Sequence, residues 1–209
     1  LSIRRQRQMC IRDRTGSGAG RFQPGERVGV AWIFSACGHC RFCRTGLENL
    51  CAEYRGTGVD ADGGYAEFMK VHEDFALSIP PQFSDLEAAP LLCAGAIGYR
   101  AVELAGIRDG DCLGLTGFGG SGHLVLKMVR HRFPASSVFV FARNPAEREF
   151  AMELGAVWSG DTTEHCPEPL QAIIDTTPVW APVINGLDNL APGGRLVINA
   201  IRKLSLIHI

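Results

Sequence analysis

The stretch that decides the fold is DCLGLTGFGGSGHLVLKMVRHR, residues 111–132. Its apolar run, CLGLT, is typical of a buried strand, and the glycines that follow in GFGGSG mark a tight turn. The residues after the turn, SGHLVLKMVRHR, have apolar side chains at helical spacing. The stretch therefore predicts a strand, a glycine-rich turn and a helix in direct succession.

Strands and helices continue to alternate after this stretch. SSVFVFA (136–142) and LQAIIDTT (170–177) predict strands. Between them, NPAEREFAMELGA (144–156) predicts a helix with Pro145 in its first turn and Gly155 at its end.

The same pattern extends in both directions. WAPVINGLDNLAPGG (180–194) predicts a helix and a turn, and RLVINAI (195–201) a final strand. Upstream, SDLEAAPLLCAGAIGYRAVELAGI (84–107) predicts a helix with Ser84 as N-cap and Glu87 in the capping-box position. Such alternation predicts an α/β domain with a doubly wound parallel sheet.

The glycine turn has the spacing G-x-G-x-x-G at Gly117, Gly119 and Gly122. The spacing alone is a weak signal, but a preceding strand and a following helix are the context of a dinucleotide-binding loop. In that reading Gly117 permits the tight turn, Gly119 lets the backbone approach the pyrophosphate, and Gly122 allows close packing of helix on strand. Gly120 is part of the same phosphate-binding loop. A purely structural glycine turn remains the alternative.

The end of the second predicted strand bears on the choice of cofactor. Sites for NAD have an acidic residue about 20 positions after the glycines, where it binds the ribose hydroxyls. Here Ala142 and Arg143 occupy that place. A guanidinium binds a 2′-phosphate and no carboxylate repels it, so the sequence favours NADP over NAD. The alternative is that Arg143 is an ordinary solvated surface residue.

The first third of the chain predicts a compact β domain. A turn at Pro24-Gly25 precedes the apolar strand in RFQPGERVGVAWIF (21–34). In GGYAEFMKV (63–71) a turn at Gly63-Gly64 precedes a half-exposed strand of alternating residues from Tyr65 to Val71, and FALSIPPQFS (75–84) predicts a short strand that ends in a turn.

A cysteine cluster interrupts this domain. CGHCRFCRTGLENLC (37–51) has the spacing C-x2-C-x2-C-x7-C, at Cys37, Cys40, Cys43 and Cys51. Four thiolates can complete a tetrahedral zinc shell that leaves no position for water or substrate, so the expected metal is structural. Disulfides, free thiols or a redox pair are the alternatives. His39 lies inside the cluster and is expected to face solvent.

Composition sets wider bounds. The chain has 209 residues, 46% hydrophobic and 21% charged, with a net charge of −1. The near-zero charge predicts no binding to nucleic acid or to an anionic membrane, and no apolar run approaches the ~20 residues of a membrane helix. Eight cysteines without an export signal indicate a reducing compartment, and we expect a cytoplasmic protein.

The two ends are expected to be foreign to the protein. LSLIHI (204–209) and MCIRDR (9–14) can be encoded by opposite strands of one short DNA element, as a sequencing adaptor would be. We therefore exclude residues 1–14 and 204–209 from the fold as adaptor-derived. The alternative is a basic tail and a short apolar tail.

Several pieces together resemble the zinc-dependent alcohol dehydrogenases of the medium-chain dehydrogenase/reductase superfamily. They are PGERVGV, the four-cysteine lobe, GGYAEF, PLLCAGAIGYRA and GFGGSGH, in that order. The resemblance implies a partial GroES-like catalytic domain over 15–92, with a structural zinc lobe at 37–51, and a partial Rossmann domain over 93–203. It also implies hydride transfer between an alcohol and NAD(P) with the help of zinc, a small alcohol or aldehyde as substrate, and a homo-oligomeric parent enzyme.

The resemblance also assigns individual residues. It makes Cys37, Cys40, Cys43 and Cys51 the structural zinc ligands and Cys93 a ligand of the catalytic zinc. Thr176 and Thr177 fall where the family's loops approach the nicotinamide, with helix capping as the alternative. Cys112 and Cys166 match no motif of the family and are expected to be structural.

The sequence departs from the family at both ends, where the upstream zinc ligands and the last Rossmann strand with the C-terminal return are expected to be missing. The family takes a cysteine and a His-Glu pair for its catalytic zinc from segments upstream of PGERVGV, and here the predicted adaptor replaces those segments. We therefore expect little or no dehydrogenase activity from this chain. A zinc-independent reductase of quinones or enones and a non-enzymatic zinc module are the competing interpretations. The cysteines argue against the first, and the neutral charge and the glycine turn against the second.

Overall fold

A computed structural model describes residues 9–11, 15–200 and 203 of the chain. The chain forms two compact units, of which the first ends at Cys93 and the second begins at Ala94. Most of the predicted adaptor-derived residues lie outside the described ranges, and their origin stays a prediction.

The first unit is built from short strands. They are β1 (Met9–Ile11), β2 (Arg27–Val30), β3 (Ile33–Ser35), β4 (Arg55–Gly56) and β5 (Ala76–Ser78). An antiparallel sheet has the order β1-β2-β5, and β3 pairs with β4 in a separate two-stranded ladder. The small core consists of Phe22, Val28 and Ala76, with Val71 packed against it.

Strand β1 lies inside the segment that the sequence analysis excluded from the fold. Met9 pairs with Gly29 and Ile11 with Arg27, along the edge of β2 that β5 leaves free. The free edge of a strand presents unpaired N–H and C=O groups, which any extended segment can satisfy whatever its side chains.

The predicted strand over residues 65–71 is wrong. This segment belongs to none of the strands that the structure describes, and the side chains of Tyr65 and Phe68 are each 72% exposed. The described strands of the first unit pair only with one another, in the orders β1-β2-β5 and β3-β4, and none of them pairs with this segment. Alternating polarity predicts a strand only where such a partner exists.

A capped helix ends the first unit. α1 (Asp85–Ala88) begins after Ser84, whose hydroxyl accepts a hydrogen bond from the backbone N–H of Glu87. The Glu87 carboxylate in turn accepts from Ser84, and these bonds hold the pKa of Glu87 below its ordinary value. The predicted capping box is therefore confirmed. A 3-10 turn over Ala89–Leu92 follows, and the predicted single helix is interrupted at Cys93 (φ −127°, ψ −80°).

The second unit alternates helices and strands as predicted. They are α2 (Ala94–Ala105), β6 (Cys112–Thr116), α3 (Gly120–Arg132), β7 (Ser137–Phe141), α4 (Pro145–Glu153), β8 (Trp158–Gly160), β9 (Leu170–Asp175), α5 (Ala181–Leu187) and β10 (Leu190–Ile198). The five strands form a parallel sheet in the order β10-β9-β6-β7-β8. This confirms the predicted parallel α/β architecture.

Burial explains the apolar runs of the central strands. Leu113, Leu115, Val138 and Val140 are at most 1% exposed, because parallel strands are covered on both faces. The edges of the sheet were less predictable. The three-residue strand β8 was not predicted. Strand β10 begins before the predicted turn, whose residues lie within a register shift between Leu190 and Arg195.

Among the described residues, no single helix is long and apolar enough to span a membrane. Only the adjacent pair Asp85–Leu92 and Ala94–Ala105 reaches the required length and composition, and only when its two members are counted together.

Candidate functional site

A cleft of about 380 Å³ opens at the carboxyl ends of β6, β7 and β9. In a parallel sheet these ends meet at one edge, which is where α/β proteins bind ligands. Most of the lining belongs to three loops: the glycine loop after β6, the turn after β7 with Arg143, and the loop after β9 with Thr176 and Thr177. The structure thus brings Gly117, Gly119, Gly120, Arg143 and Thr176 together, from segments far apart in sequence.

Each glycine of the loop has a distinct environment. Gly117 has φ +81°, and a Cβ there would lie 2.8 Å from the Thr176 Oγ1. A Cβ on Gly122 would lie 2.7 Å from the carbonyl oxygen of Gly117. By contrast, a Cβ on Gly119 would have no described protein atom within 4 Å. Gly117 and Gly122 are therefore held by the protein's own packing, while Gly119 presents an open backbone surface to the cleft.

The glycine loop leads directly into helix α3. Gly119 is the N-cap residue and supplies no side chain to the first-turn N–H groups. Unpaired N–H groups and the helix dipole give this end of the 13-residue helix a positive potential. The arrangement suits a phosphate or pyrophosphate group, which fits a dinucleotide cofactor.

The turn after β7 brings two opposite charges to the cleft. Arg143 is exposed, and its guanidinium forms no ion pair with another described residue. Glu147, in the first turn of α4, lines the same cleft. Glu147 was not predicted from the sequence, because Arg143 precedes the N-cap residue Asn144 and helical spacing does not relate the two side chains.

The loop after β9 is fixed by a buried polar network that the sequence analysis also missed. The Asp175 carboxylate is fully buried and accepts hydrogen bonds from Thr116 Oγ1 (2.6 Å) and Thr177 Oγ1 (2.7 Å). Its other oxygen pairs with the ammonium of Lys203. Thr176 Oγ1 donates to the carbonyl of Thr116 at 3.0 Å. An acidic residue at the end of an apolar strand was the available signal, but its partners are remote in sequence.

The four cysteines of the lobe converge on one point. Their sulfur atoms all lie within 4.8 Å of one another, with Cys37 to Cys43 at 3.9 Å and Cys40 to Cys43 at 3.6 Å. A tetrahedron with Zn–S bonds of 2.3 Å has edges of about 3.8 Å, whereas a disulfide needs about 2.05 Å. The seven cysteines whose side chains are described have free thiols.

Backbone hydrogen bonds favour the thiolate form of Cys37 and Cys40, whereas desolvation opposes it at Cys43. N–H groups donate to the sulfurs of Cys37 and Cys51 at 3.3–3.5 Å. Hydrogen bonds from the backbone of His39 and Cys40 lower the pKa of Cys37, and the backbone N–H of Cys43 lowers that of Cys40 to about 7. Desolvation raises the pKa of Cys43 to about 12. The geometry and the donor set fit a tetrahedral zinc ion, which requires thiolates.

The other two candidate ligands, His39 and Cys93, are both solvent-exposed. His39 is exposed, and its Nδ1 lies 2.8 Å from the carbonyl oxygen of Cys37. His39 and Glu53 lie within 4.8 Å of the sulfur of Cys37, but both are solvent-exposed. Cys93 is also exposed, and within the described residues it joins no group of three metal-binding side chains.

Comparison with known proteins gives related sequences for both units. The sequence profile of the alcohol dehydrogenase GroES-like domain matches residues 13–81. AdhA of Mycobacterium tuberculosis, named as a probable alcohol dehydrogenase, is 44% identical over 182 residues, which are 87% of this chain and 52% of that protein. An alcohol dehydrogenase of Geobacillus stearothermophilus is 35% identical over 144 residues, 69% of this chain and 42% of its own length.

A solved structure of similar fold is that of CAD from Helicobacter pylori complexed with NADP(H). It has a TM-score of 0.81 and 26% identity, over 93% of this chain and 60% of that one. The chain thus spans about half the length of the curated relatives it matches.

Proposed function

Because this chain belongs to the zinc-dependent alcohol dehydrogenases of the medium-chain dehydrogenase/reductase superfamily, we propose that its parent enzyme transfers hydride between a small alcohol or aldehyde and NAD(P). The observation that carries the proposal is the cleft at the carboxyl edge of the parallel sheet, with an open glycine backbone at the N-terminus of α3. Such a site suits the pyrophosphate of a dinucleotide.

The residues of the cleft would share the binding of this cofactor. Gly119 and Gly120 would bring backbone N–H groups to the pyrophosphate, and Gly117 and Gly122 would hold the loop against the sheet. Thr176 would border the nicotinamide half of the cofactor. When bound, the nicotinamide would supply the hydride chemistry, and a catalytic zinc in the intact parent would supply a Lewis acid for the substrate oxygen.

We propose NADP as the preferred cofactor. Arg143 has no ion-pair partner among the described residues, so its charge is free to bind a 2′-phosphate. Glu147 in the same cleft would oppose the phosphate, because like charges repel.

We propose one structural zinc ion at Cys37, Cys40, Cys43 and Cys51. The ion would replace hydrophobic packing in a lobe where only Cys51 of the four is buried. Cys93 would be a ligand of the catalytic zinc in the intact parent, where other segments complete the shell. Alone it offers one thiolate, and three protein ligands are usual in a catalytic zinc site. We therefore propose that this chain has little or no activity by itself.

The wider setting is part of the same proposal. We propose a cytoplasmic enzyme that binds neither nucleic acid nor membrane and whose parent forms a homo-oligomer. The cysteine usage and the near-neutral charge support this setting.

Titration of the purified chain with NADPH and NADH tests the cofactor proposal. We expect saturable binding of both, with NADPH tighter, measured by the fluorescence of the reduced nicotinamide. Well-folded protein that binds neither cofactor would contradict the proposed function.

A further inference from the structure

Lys203 is buried beside the loop that follows β9. Its side chain is only 8% exposed, and that of its partner Asp175 is fully buried. The ammonium donates to Asp175 Oδ2 and to the carbonyl oxygens of Thr177 and Val179, both at 2.9 Å. A lysine has three N–H donors, so these bonds use its whole capacity.

These contacts fix the backbone of residues 176–179, which form one wall of the cleft. Asp175 ends β9, and its second oxygen accepts from Thr116 at the end of the neighbouring strand β6. Lys203 itself follows β10, the strand on the other side of β9. The network therefore ties together the ends of three adjacent strands.

The loop held in this way packs on the glycine turn. Thr176 Oγ1 and Thr177 Cγ2 would lie 2.8 and 3.0 Å from a Cβ on Gly117, which means direct contact with the first glycine of the phosphate loop. The single hydroxyl proton of Thr176 is shared between the carbonyl oxygens of Thr116 (3.0 Å) and Gly117 (3.3 Å). A displacement of residues 176–179 would therefore alter both the nicotinamide wall and the phosphate loop.

We infer that Lys203 is a positioning residue for the cofactor cleft, which it shapes through Asp175 and the 176–179 loop without lining the cleft itself. This inference rests on the proposed function for its ligand, a nicotinamide dinucleotide. A buried ion pair is weak evidence for stability but well suited to fixing one arrangement of the loop.

The test compares the single variant Lys203→Met with the double variant Asp175→Asn/Lys203→Met in the full chain. The single variant leaves a buried carboxylate without its cation, so its melting temperature should fall. The double variant restores neutrality and nearly the original shape, and its melting temperature should recover. The methionine side chain in the double variant has no N–H donors, so the carbonyl oxygens of Thr177 and Val179 still lack the hydrogen bonds that Lys203 donates.

Two readouts then separate positioning from stability. For the double variant we expect faster hydrogen exchange in peptides covering 176–180, and NADPH binding weaker by about tenfold, within the usual range of coupling between sites. Recovery of both exchange and affinity together with the melting temperature would overturn the inference.

Hydrogen exchange of the cofactor-free protein tests the role of Lys203 independently of the proposed cofactor binding. If the unsubstituted chain binds no dinucleotide, the proposed function fails. In that case faster exchange at 176–180 in the double variant still supports the clamp by Lys203, and unchanged exchange refutes it.

Discussion

The hydroxyl of Thr116 donates a 2.6 Å hydrogen bond to the carboxylate of Asp175, across 59 residues of sequence. Both residues are buried, and they end the adjacent parallel strands β6 and β9. The two loops that follow these strands line the cleft, so this bond holds its two walls in register.

Thr116→Val should therefore destabilise the second unit. The substitution keeps the shape but deprives a buried carboxylate of one donor, which costs about 1–3 kcal/mol of unfolding free energy. Urea denaturation measures this loss. The control is Thr163→Val, an exposed threonine that bonds to Asp161, where we expect a change within about 0.5 kcal/mol. Equal effects of the two substitutions would refute the importance of the Thr116 bond.

The glycine loop predicts opposite effects for two substitutions three residues apart. Gly122→Ala places a methyl 2.7 Å from a backbone oxygen, and such overpacking should cost about 1–3 kcal/mol of stability. Gly119→Ala meets no described protein atom within 4 Å, so it should leave the thermal melt nearly unchanged while obstructing the pyrophosphate. Melting curves and NADPH titrations check both expectations. A Gly119→Ala variant that binds NADPH normally would exclude close approach of the cofactor at this residue.

The cysteine lobe should hold one zinc ion per chain. Cys40→Ser removes one thiolate of the tetrahedral shell and should abolish stoichiometric zinc and lower the melting temperature of the first unit. Cys166→Ser lies outside the lobe and should leave the zinc content unchanged. Elemental analysis of the purified proteins gives the stoichiometry. Full zinc in Cys40→Ser, or metal-free native protein with paired sulfurs, would contradict the proposed site.

Arg143 and Glu147 should have opposite effects on cofactor preference. Arg143→Ala removes a charge-assisted contact worth about 1.5–3 kcal/mol, so NADPH should bind at least about tenfold more weakly and NADH almost as before. Glu147→Gln removes a repulsive carboxylate and should strengthen NADPH binding. Lys127→Ala is the matched control, because Lys127 is an exposed cation on α3 outside the cleft. An equal loss of affinity for NADPH and NADH in Arg143→Ala would show that Arg143 does not bind the 2′-phosphate.

Sequence alone determined the features that depend on neighbours along the chain. The capping box of α1, the strand and helix on either side of the glycine loop, and the alternation that gives the parallel sheet were all predicted, because their patterns repeat over two to four residues. The spacing of the four cysteines likewise brings their sulfurs together within a single loop.

Only the tertiary structure decided which remote groups meet. Residues 65–71 have the alternation of a strand but no ladder partner among the described strands, and β8 became a strand because β7 offered it an edge. Lys203 and Asp175 are 28 residues apart, and neither local propensity nor periodicity predicts that they pair. Such pairs form because a buried charge must find a partner once the sheet excludes water, and which partner it finds depends on the packed arrangement of the strands.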